Sequence, residues 1–289
     1  MTRLFRSLLF VPGNNPRFLE KAKTIPADIV CFDLEDSVQD SEKKNARKLI
    51  KDALKSRFAY SADIYVRTNS PSSGKIPDDL EEIIQKGLDG IVIPKVNNAT
   101  ELQKIAKNIS KLEKKKKLET IPLIPSIESA EGVMNTYKIA SSNTRIVAVV
   151  FGVFDLLNDM GIEYTKQPEG AKYARAKVPL DAKAAGVYAI DAIWQDLQDQ
   201  NGLREDCIIG KSLGYVGKSI IHPDQIQIAH DLFAPNKAEI EWARKVCDTY
   251  VASTKKGRGA TVVDGKMIDE VHYKRAKALL DLKIDFKIC

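Results

Sequence analysis

The sequence predicts a single (β/α)8 TIM barrel, an α/β fold, with extra C-terminal helices. Short apolar runs, several rich in Val and Ile, alternate with longer segments of helical period, the pattern of repeated βα units around a parallel sheet. A chain of 289 residues exceeds the usual domain size but falls in the range where such a barrel forms one domain. Polar residues also collect at the C-terminal ends of the apolar runs, where barrels of this kind carry their chemistry.

The first strand is expected over 7–11 and the first helix over 16–24. The second strand, 28–34, leads to a helix over 41–57 whose start is signalled by Ser41 before Glu42. The third strand, 63–68, is followed by a helix over 77–86, where Pro77 takes a first-turn position before Asp78 and Asp79. Strands at 90–96, 121–127 and 145–152 flank helices at 99–117 and 130–140. The interval 156–178, punctuated by Gly161, Pro168 and Gly170, is too weakly periodic to assign and is expected to be a functional loop near the barrel mouth. A helix at 179–185, a strand at 189–194, a helix at 203–213 and a strand at 216–222 complete eight units.

Two further helices, 237–254 and 269–282, are joined by the segment KKGRGATVVDGKM. The barrel domain is therefore placed at 1–235 and the helical extension at 236–289. That extension exceeds what barrel closure needs, so it packs on its own subunit or reaches across to a neighbour.

Composition narrows the class. With 44% hydrophobic and 29% charged residues the chain suits a globular protein with a sizeable core. Forty-five Lys and Arg against 39 Asp and Glu give a net charge of +6, but the basic residues mostly accompany acidic ones on helical faces, and KLEKKKK reads as a solvated helix end. Only 7% of residues are aromatic and none interleave with a basic stripe, which argues against a nucleic-acid partner. Four cysteines far apart, with no CxxC spacing, signal neither zinc nor a disulfide framework and point to a reducing, cytoplasmic setting. No apolar run approaches the roughly 18 residues of a membrane helix, so no membrane partner is expected. The basic opening MTRLFRS could pass for a short presequence, but the apolar stretch that follows reads better as the first strand.

The strand ends hold a specific set. Asp33, Glu35 and Asp36 follow the second strand, Arg67 and Asn69 the third, Lys95 the fourth, Glu128 the fifth, Asp155 the sixth and His222 the eighth. Carboxylates without clustered His or Cys favour a hard cation such as Mg2+, which needs only one or two of them. Read singly, each residue has a plainer role. Asp33 and Asp36 could be helix caps or ion-pair members, and Arg67 could bridge to the DLED acids rather than hold a carboxylate or enolate oxygen. Lys95 could be a Schiff-base nucleophile or, preferably, a charge balancing Glu35. His222 could be a general base or, preferably, the residue fixing a helix start.

The stretches RSLLFVPGNNPRFLEKA, DIVCFDLEDSV, YVRTN, IPKV, IPSIESAEGV, VFGVFDLLNDMG, GKSIIHPDQI and VVDGKMIDE occur in that order over nearly the whole chain. In this the sequence resembles the citrate lyase β-subunit-like enzymes, which include malyl-CoA and citramalyl-CoA lyases. The resemblance implies a Mg2+-dependent carbon–carbon lyase acting on a small acyl-CoA thioester and a 2-oxo acid, assembled as a homotrimer or a multiple of trimers. It implies Glu128 and Asp155 as metal ligands, Arg67 as a substrate-binding and catalytic residue, and Asp33, Glu35 and Asp36, with Lys95, as supporting groups. Arg17 and Lys21 would contact CoA, although Arg17 could equally pair with a nearby acid. Asp269 would be the acid/base, supplied by the adjacent subunit. Some relatives lack that tail, so its presence implies a chain that acts without another catalytic component. The interval 167–173 aligns poorly and is where acyl-group specificity could lie. A thioesterase, a malate synthase-like enzyme or a citryl-thioester lyase subunit on the same scaffold are the alternatives.

Overall fold

The computed structural model describes residues 5–166 and 168–281. It contains two compact units, 5–233 and 234–281 among these residues. In the first, eight parallel strands close into a barrel in chain order: β1 (Ser7–Pro12), β2 (Ile29–Asp33), β3 (Asp63–Arg67), β4 (Gly90–Ile93), β5 (Leu123–Ile127), β6 (Ala148–Phe151), β7 (Tyr188–Asp191) and β8 (Gly217–Ile220). Closure is made by β1, which pairs with both β2 and β8. The helices are α1 (Pro16–Lys21), α2 (Lys43–Leu54), α3 (Ile76–Ile83), α4 (Ala99–Lys116), α5 (Ala130–Ala140), α6 (Val153–Asp159), α7 (Lys172–Ala184), α8 (Gln200–Leu213) and α9 (Ile226–Phe233).

The period of two along each strand divides the core in two. Leu8, Cys31, Tyr65, Val92, Ile124 and Val150 fill the barrel, whereas Leu9, Val30, Val66 and Ile91 face the helices. Gly90 makes room inside, because a Cβ there would come within 2.0 Å of the Tyr65 ring. Asn98, Ser129 and Asp199 cap their helices, accepting from the backbone N–H groups of Glu101, Gly132 and Gly202 at 3.0, 3.0 and 2.8 Å. Pro77 stands in the first turn of α3 as expected, whereas Ser41 lies in a short turn at 40–42 and α2 begins at Lys43 without a side-chain cap.

The interval 156–178 is not one loop. Its beginning belongs to α6 and its end to α7, which starts seven residues before Pro179, the expected helix start. Inside a helix, proline leaves the carbonyl four residues back without a donor. Here that carbonyl, Arg175 O, accepts instead from the Tyr215 hydroxyl at 2.9 Å. This long-range contact is invisible to local periodicity.

A charged network holds α7 and α8 against β7 and β8. Lys218 on β8 and Asp191 on β7 are fully buried, with Lys218 Nζ 3.3 Å from Asp191 Oδ2, and Lys218 also pairs with Asp206 of α8. Arg175 of α7 bridges the same two acids, its Nε 3.1 Å from Asp191 Oδ1 and its Nη1 2.7 Å from Asp206 Oδ1. Two cations against two carboxylates leave no net charge in the interior, the condition under which such burial is tolerated.

The second unit consists of α10 (Lys237–Thr254), a hairpin of β9 (Thr261–Val263) and β10 (Lys266–Ile268), and α11 (Glu270–Leu280). The segment read only as a connection thus carries a hairpin. Asp264 and Gly265, at φ 47 and 77°, make the tight Asp-Gly turn whose handedness suits a two-residue loop. Ala243, Val246, Val263, Ile268 and Ala276 form this unit's small core. The expected helix end at 282, residue 167 of the poorly aligned interval, Cys289 and most of the basic opening lie outside the described residues. Among the described residues no helix is long and apolar enough to cross a membrane.

Candidate metal centre and active site

The strand ends open into a cavity of about 510 Å³ lined by, among others, Phe10, Asp33, Asp36, Arg67, Glu128 and Asp155. The register explains the convergence. Pro12 lies opposite Asp33 and Asp33 opposite Arg67, so neighbouring strands deliver their last side chains at one level.

Asp33 and Arg67 form a forked pair, Nε to Oδ1 and Nη2 to Oδ2, both at 2.7 Å. Asp33 also accepts from the Glu35 N–H at 2.8 Å and from the Ser37 N–H and hydroxyl at 3.1 and 2.5 Å. Burial would push its carboxyl up, but the guanidinium and these donors together hold it below the usual carboxylate range. Burial likewise opposes charge on Arg67, yet Asp33, Glu35 and Glu128 keep it protonated, and its guanidinium stacks 4.5 Å from the centre of the Phe10 ring. The fork consumes two of its five N–H groups and leaves three for other partners.

Glu35 is buried without a well-directed hydrogen bond to either oxygen. Only charge compensates it: Arg67 Nη1 lies 3.3 Å from Oε2 and Lys95 Nζ 3.0 Å from Oε1. Burial, with Asp36 adding to it, outweighs both cations and raises its pKa to about 7. The turn carrying Glu35 is pinned from beneath by Lys43, whose ammonium donates to Leu34 O and Glu35 O at 2.7 and 2.6 Å. Lys43 escaped the sequence reading. A lysine in the first turn runs against the helix dipole, the one sign of it in the sequence, whereas its burial is decided only by packing.

Glu128 follows β5 and is only 6% exposed. Burial, then Glu35 and Asp155 against the opposing Arg67 and Lys95, raise its pKa to about 8. Its Oε2 accepts from the Lys95 backbone N–H at 3.2 Å. Lys95 adopts φ 52°, a left-handed conformation that costs a non-glycine residue about 1 kcal/mol or more. Gly152 clears the space for Glu128, since a Cβ there would approach its Cγ to 2.4 Å. Sequence reading passed over this glycine as well.

Asp155 stands in the first turn of α6, 40% exposed. The Lys95 ammonium lies 3.5 Å from it and 3.2 Å from Asp36. Burial disfavours the Lys95 charge, but Glu35, Asp155 and Asp36 hold the amine protonated, a state unsuited to a Schiff-base nucleophile. Five carboxylates against two cations leave the mouth short of positive charge, so that burial, with the neighbouring acids adding to it, raises the Glu35 and Glu128 carboxyls. Among the described residues no group of three or more His, Cys, Asp or Glu is disposed as a metal cage. The donor set instead fits a hard cation held by two carboxylates and otherwise by water and substrate oxygens.

The remaining candidates lie elsewhere. Arg17 and Lys21 project from α1 into solvent and make no ion pair among the described residues. His222 caps the turn after β8, its Nδ1 accepting from the Asp224 N–H at 3.3 Å while Gln225 returns the contact, so it fixes a helix start. Asp269 belongs to the second unit and caps α11.

Comparison with known proteins places this geometry. The chain is 34% identical over 276 residues to a (3S)-malyl-CoA thioesterase of Cereibacter sphaeroides (strain KD131 / KCTC 12085), covering 96% of this chain and 93% of that protein. It is 34% identical over 283 residues to citrate lyase subunit beta of Escherichia coli (strain K12), with the same two coverages. Its structure resembles that of protein CitE from Mycobacterium tuberculosis in complex with magnesium, acetoacetate and coenzyme A, with a TM-score of 0.76, 26% identity and 95% and 96% of the two chains covered. Residues 6–223 match the HpcH/HpaI aldolase/citrate lyase family, and the chain belongs to that family.

Proposed function

We propose that the protein is a Mg2+-dependent lyase that cleaves, or forms, a small 3-hydroxyacyl-CoA such as malyl-CoA or citramalyl-CoA. The products of cleavage are a 2-oxo acid and acetyl- or propionyl-CoA. The observation that carries this reading is the meeting of Glu128, Asp155 and Arg67 in one cavity at the strand C-termini.

Glu128 and Asp155 would hold the ion, supported by Asp33, Glu35 and Asp36, while Lys95 balances charge. When bound, Mg2+ supplies Lewis-acid polarisation of the substrate's carboxylate and hydroxyl oxygens. The N–H groups of Arg67 outside the Asp33 fork, one nitrogen of which also lies 3.3 Å from Glu35, would face the thioester oxygen as it gains negative charge on bond cleavage. The hydroxyl proton passes to water at the open mouth of the site, the O–H electrons form the carbonyl of the 2-oxo acid, and the electron pair of the broken carbon–carbon bond passes to the acyl-CoA enolate. Asp269 returns a proton to the enolate carbon, and in condensation removes it. The resemblance supports supply of Asp269 by the neighbouring subunit of a homotrimer, through the extension beyond residue 235. Arg17 and Lys21, exposed on the helix after β1, suit the phosphates of CoA.

A second reading, thioester hydrolysis, is favoured by the name of the Cereibacter relative. Purified protein given malyl-CoA and Mg2+ separates the two when 2-oxo acid and free thiol are followed independently. The lyase reading requires 2-oxo acid to appear together with intact acetyl-CoA; thiol and malate appearing without 2-oxo acid overturn it.

A further inference from the structure

Asp269 is held by a single oxygen. As the N-cap of α11 its Oδ1 accepts from the backbone N–H groups of Val271 at 3.0 Å and His272 at 3.3 Å. The same oxygen lies 2.6 Å from Nδ1 of the His272 ring. Two acceptor atoms cannot approach so closely, so a proton lies between them. With the carboxylate ionised, Nδ1 bears it and donates. The amide N–H of Asp269 also points at this nitrogen, but at 3.4 Å it is much the weaker contact, and the 2.6 Å approach to Oδ1 decides the tautomer. No hydrogen bond reaches Oδ2 among the described residues.

We infer that His272 is a positioning residue for the acid/base, its Nδ1–H clamping Asp269 Oδ1 so that Oδ2 alone is presented to the substrate carbon. This rests on the reading of Asp269 as acid/base given above. In condensation the C–H bond of the acyl α-carbon breaks, its proton passes to Oδ2, and its electron pair stays in the thioester enolate; in cleavage Oδ2 returns the proton. His272 keeps its own proton throughout. The clamp also bears on ionisation. The His272 side chain, then its backbone N–H, hold the Asp269 carboxyl below the usual range, which suits a base. Two neighbouring charged pairs are satisfied away from this contact: Glu270 pairs with Lys274 at 2.9 Å and Lys245 with Asp264 at 3.2 Å. α10 packs on this helix through Ala243, Val246 and Ala276 and through the uncharged stack of Tyr250 on Tyr273, with ring centres 5.0 Å apart.

The test uses the full chain with Mg2+ and malyl-CoA, and condensation of acetyl-CoA with glyoxylate as a function of pH. His272→Leu is expected to lower kcat on the order of 10- to 100-fold with little change in KM. It should also move the acid limb of the condensation profile to higher pH, while His272→Gln, which can donate one N–H to Oδ1, recovers much of the rate. A fall in kcat with the acid limb unmoved and no recovery in His272→Gln would reduce His272 to part of a helix cap and overturn the inference. Asp269→Asn separates the two readings. Parental turnover in that variant sinks the acid/base role and the inference with it. A crippled Asp269→Asn beside a fully active His272→Leu sinks the inference alone.

Discussion

The Lys95 ammonium stands 3.5 Å from Asp155 Oδ1, so a fixed cation already sits beside one of the two carboxylates proposed to hold the metal. It bridges Glu35 and Asp36 as well, which ties three carboxylates from the ends of β2 and β6 to one amine. A charge in that place offsets the acids around it and competes with an incoming ion.

Lys95→Met should therefore bind Mg2+ more tightly, roughly tenfold, because one positive charge is removed from a partly buried mouth. Calorimetric titration of parent and variant measures it. Weaker binding in the variant would show instead that Lys95 organises the ligands.

Glu128→Ala combined with Asp155→Ala should abolish measurable Mg2+ binding and lower turnover by at least about 100-fold. Isotherms and initial rates with malyl-CoA check both, and retained activity removes these residues from the metal site.

Gly152→Ala should damage the same site without touching a charged group. The new methyl would meet the Glu128 side chain at 2.4 Å from its Cγ. The expected outcome is Mg2+ affinity lowered on the order of tenfold or more with the circular dichroism spectrum preserved, since a ligand displaced by a fraction of an ångström loses its geometry. Parental affinity would mean that the side chain relaxes freely.

Metal and proton binding should be linked. Glu35 at about 7 and Glu128 at about 8 both lie above the ordinary value of 4.5. Between pH 4.5 and 8 these two carboxyls thus hold more protons in the folded chain without Mg2+ than in the unfolded one, and the stability they contribute, full below 4.5, is lost as pH rises through that window. Mg2+ replaces those protons, so it should raise the thermal midpoint more near pH 8.5 than near pH 6. Equal shifts at the two pH values would contradict the linkage.

Lys218→Met should destabilise the barrel by about 3–5 kcal/mol, because it leaves Asp191 buried with half its compensation gone. Urea denaturation measures this. A cost below about 1 kcal/mol would show that Arg175 alone satisfies the acid.

The barrel was legible because its physics is local and repeated. The apolar runs at 28–34 and 63–68 and the first-turn Pro77 are properties of neighbouring residues, and parallel βα units have few ways to close. The same holds for the strand-end acids, since chain position assigns them to one rim. Where reading failed, the deciding partner was distant in sequence. Helix α7 runs through Pro179 because Tyr215 takes up the carbonyl that proline abandons. The hairpin at Asp264 and Gly265 did carry a local signal, the Asp-Gly pair, which was overlooked between two helices.

What the sequence by itself determined is the inventory of the site: which carboxylates, which cations, and which end of the barrel they occupy. Tertiary structure alone decided their states. Burial leaves Glu35 and Glu128 on the edge of ionisation while the Arg67 fork keeps Asp33 charged, and Gly152 and Lys43 shape the space around them. The reason is physical. Desolvation and Coulomb energy depend on distances between strands and on exclusion of water, and neither quantity exists until the barrel has closed.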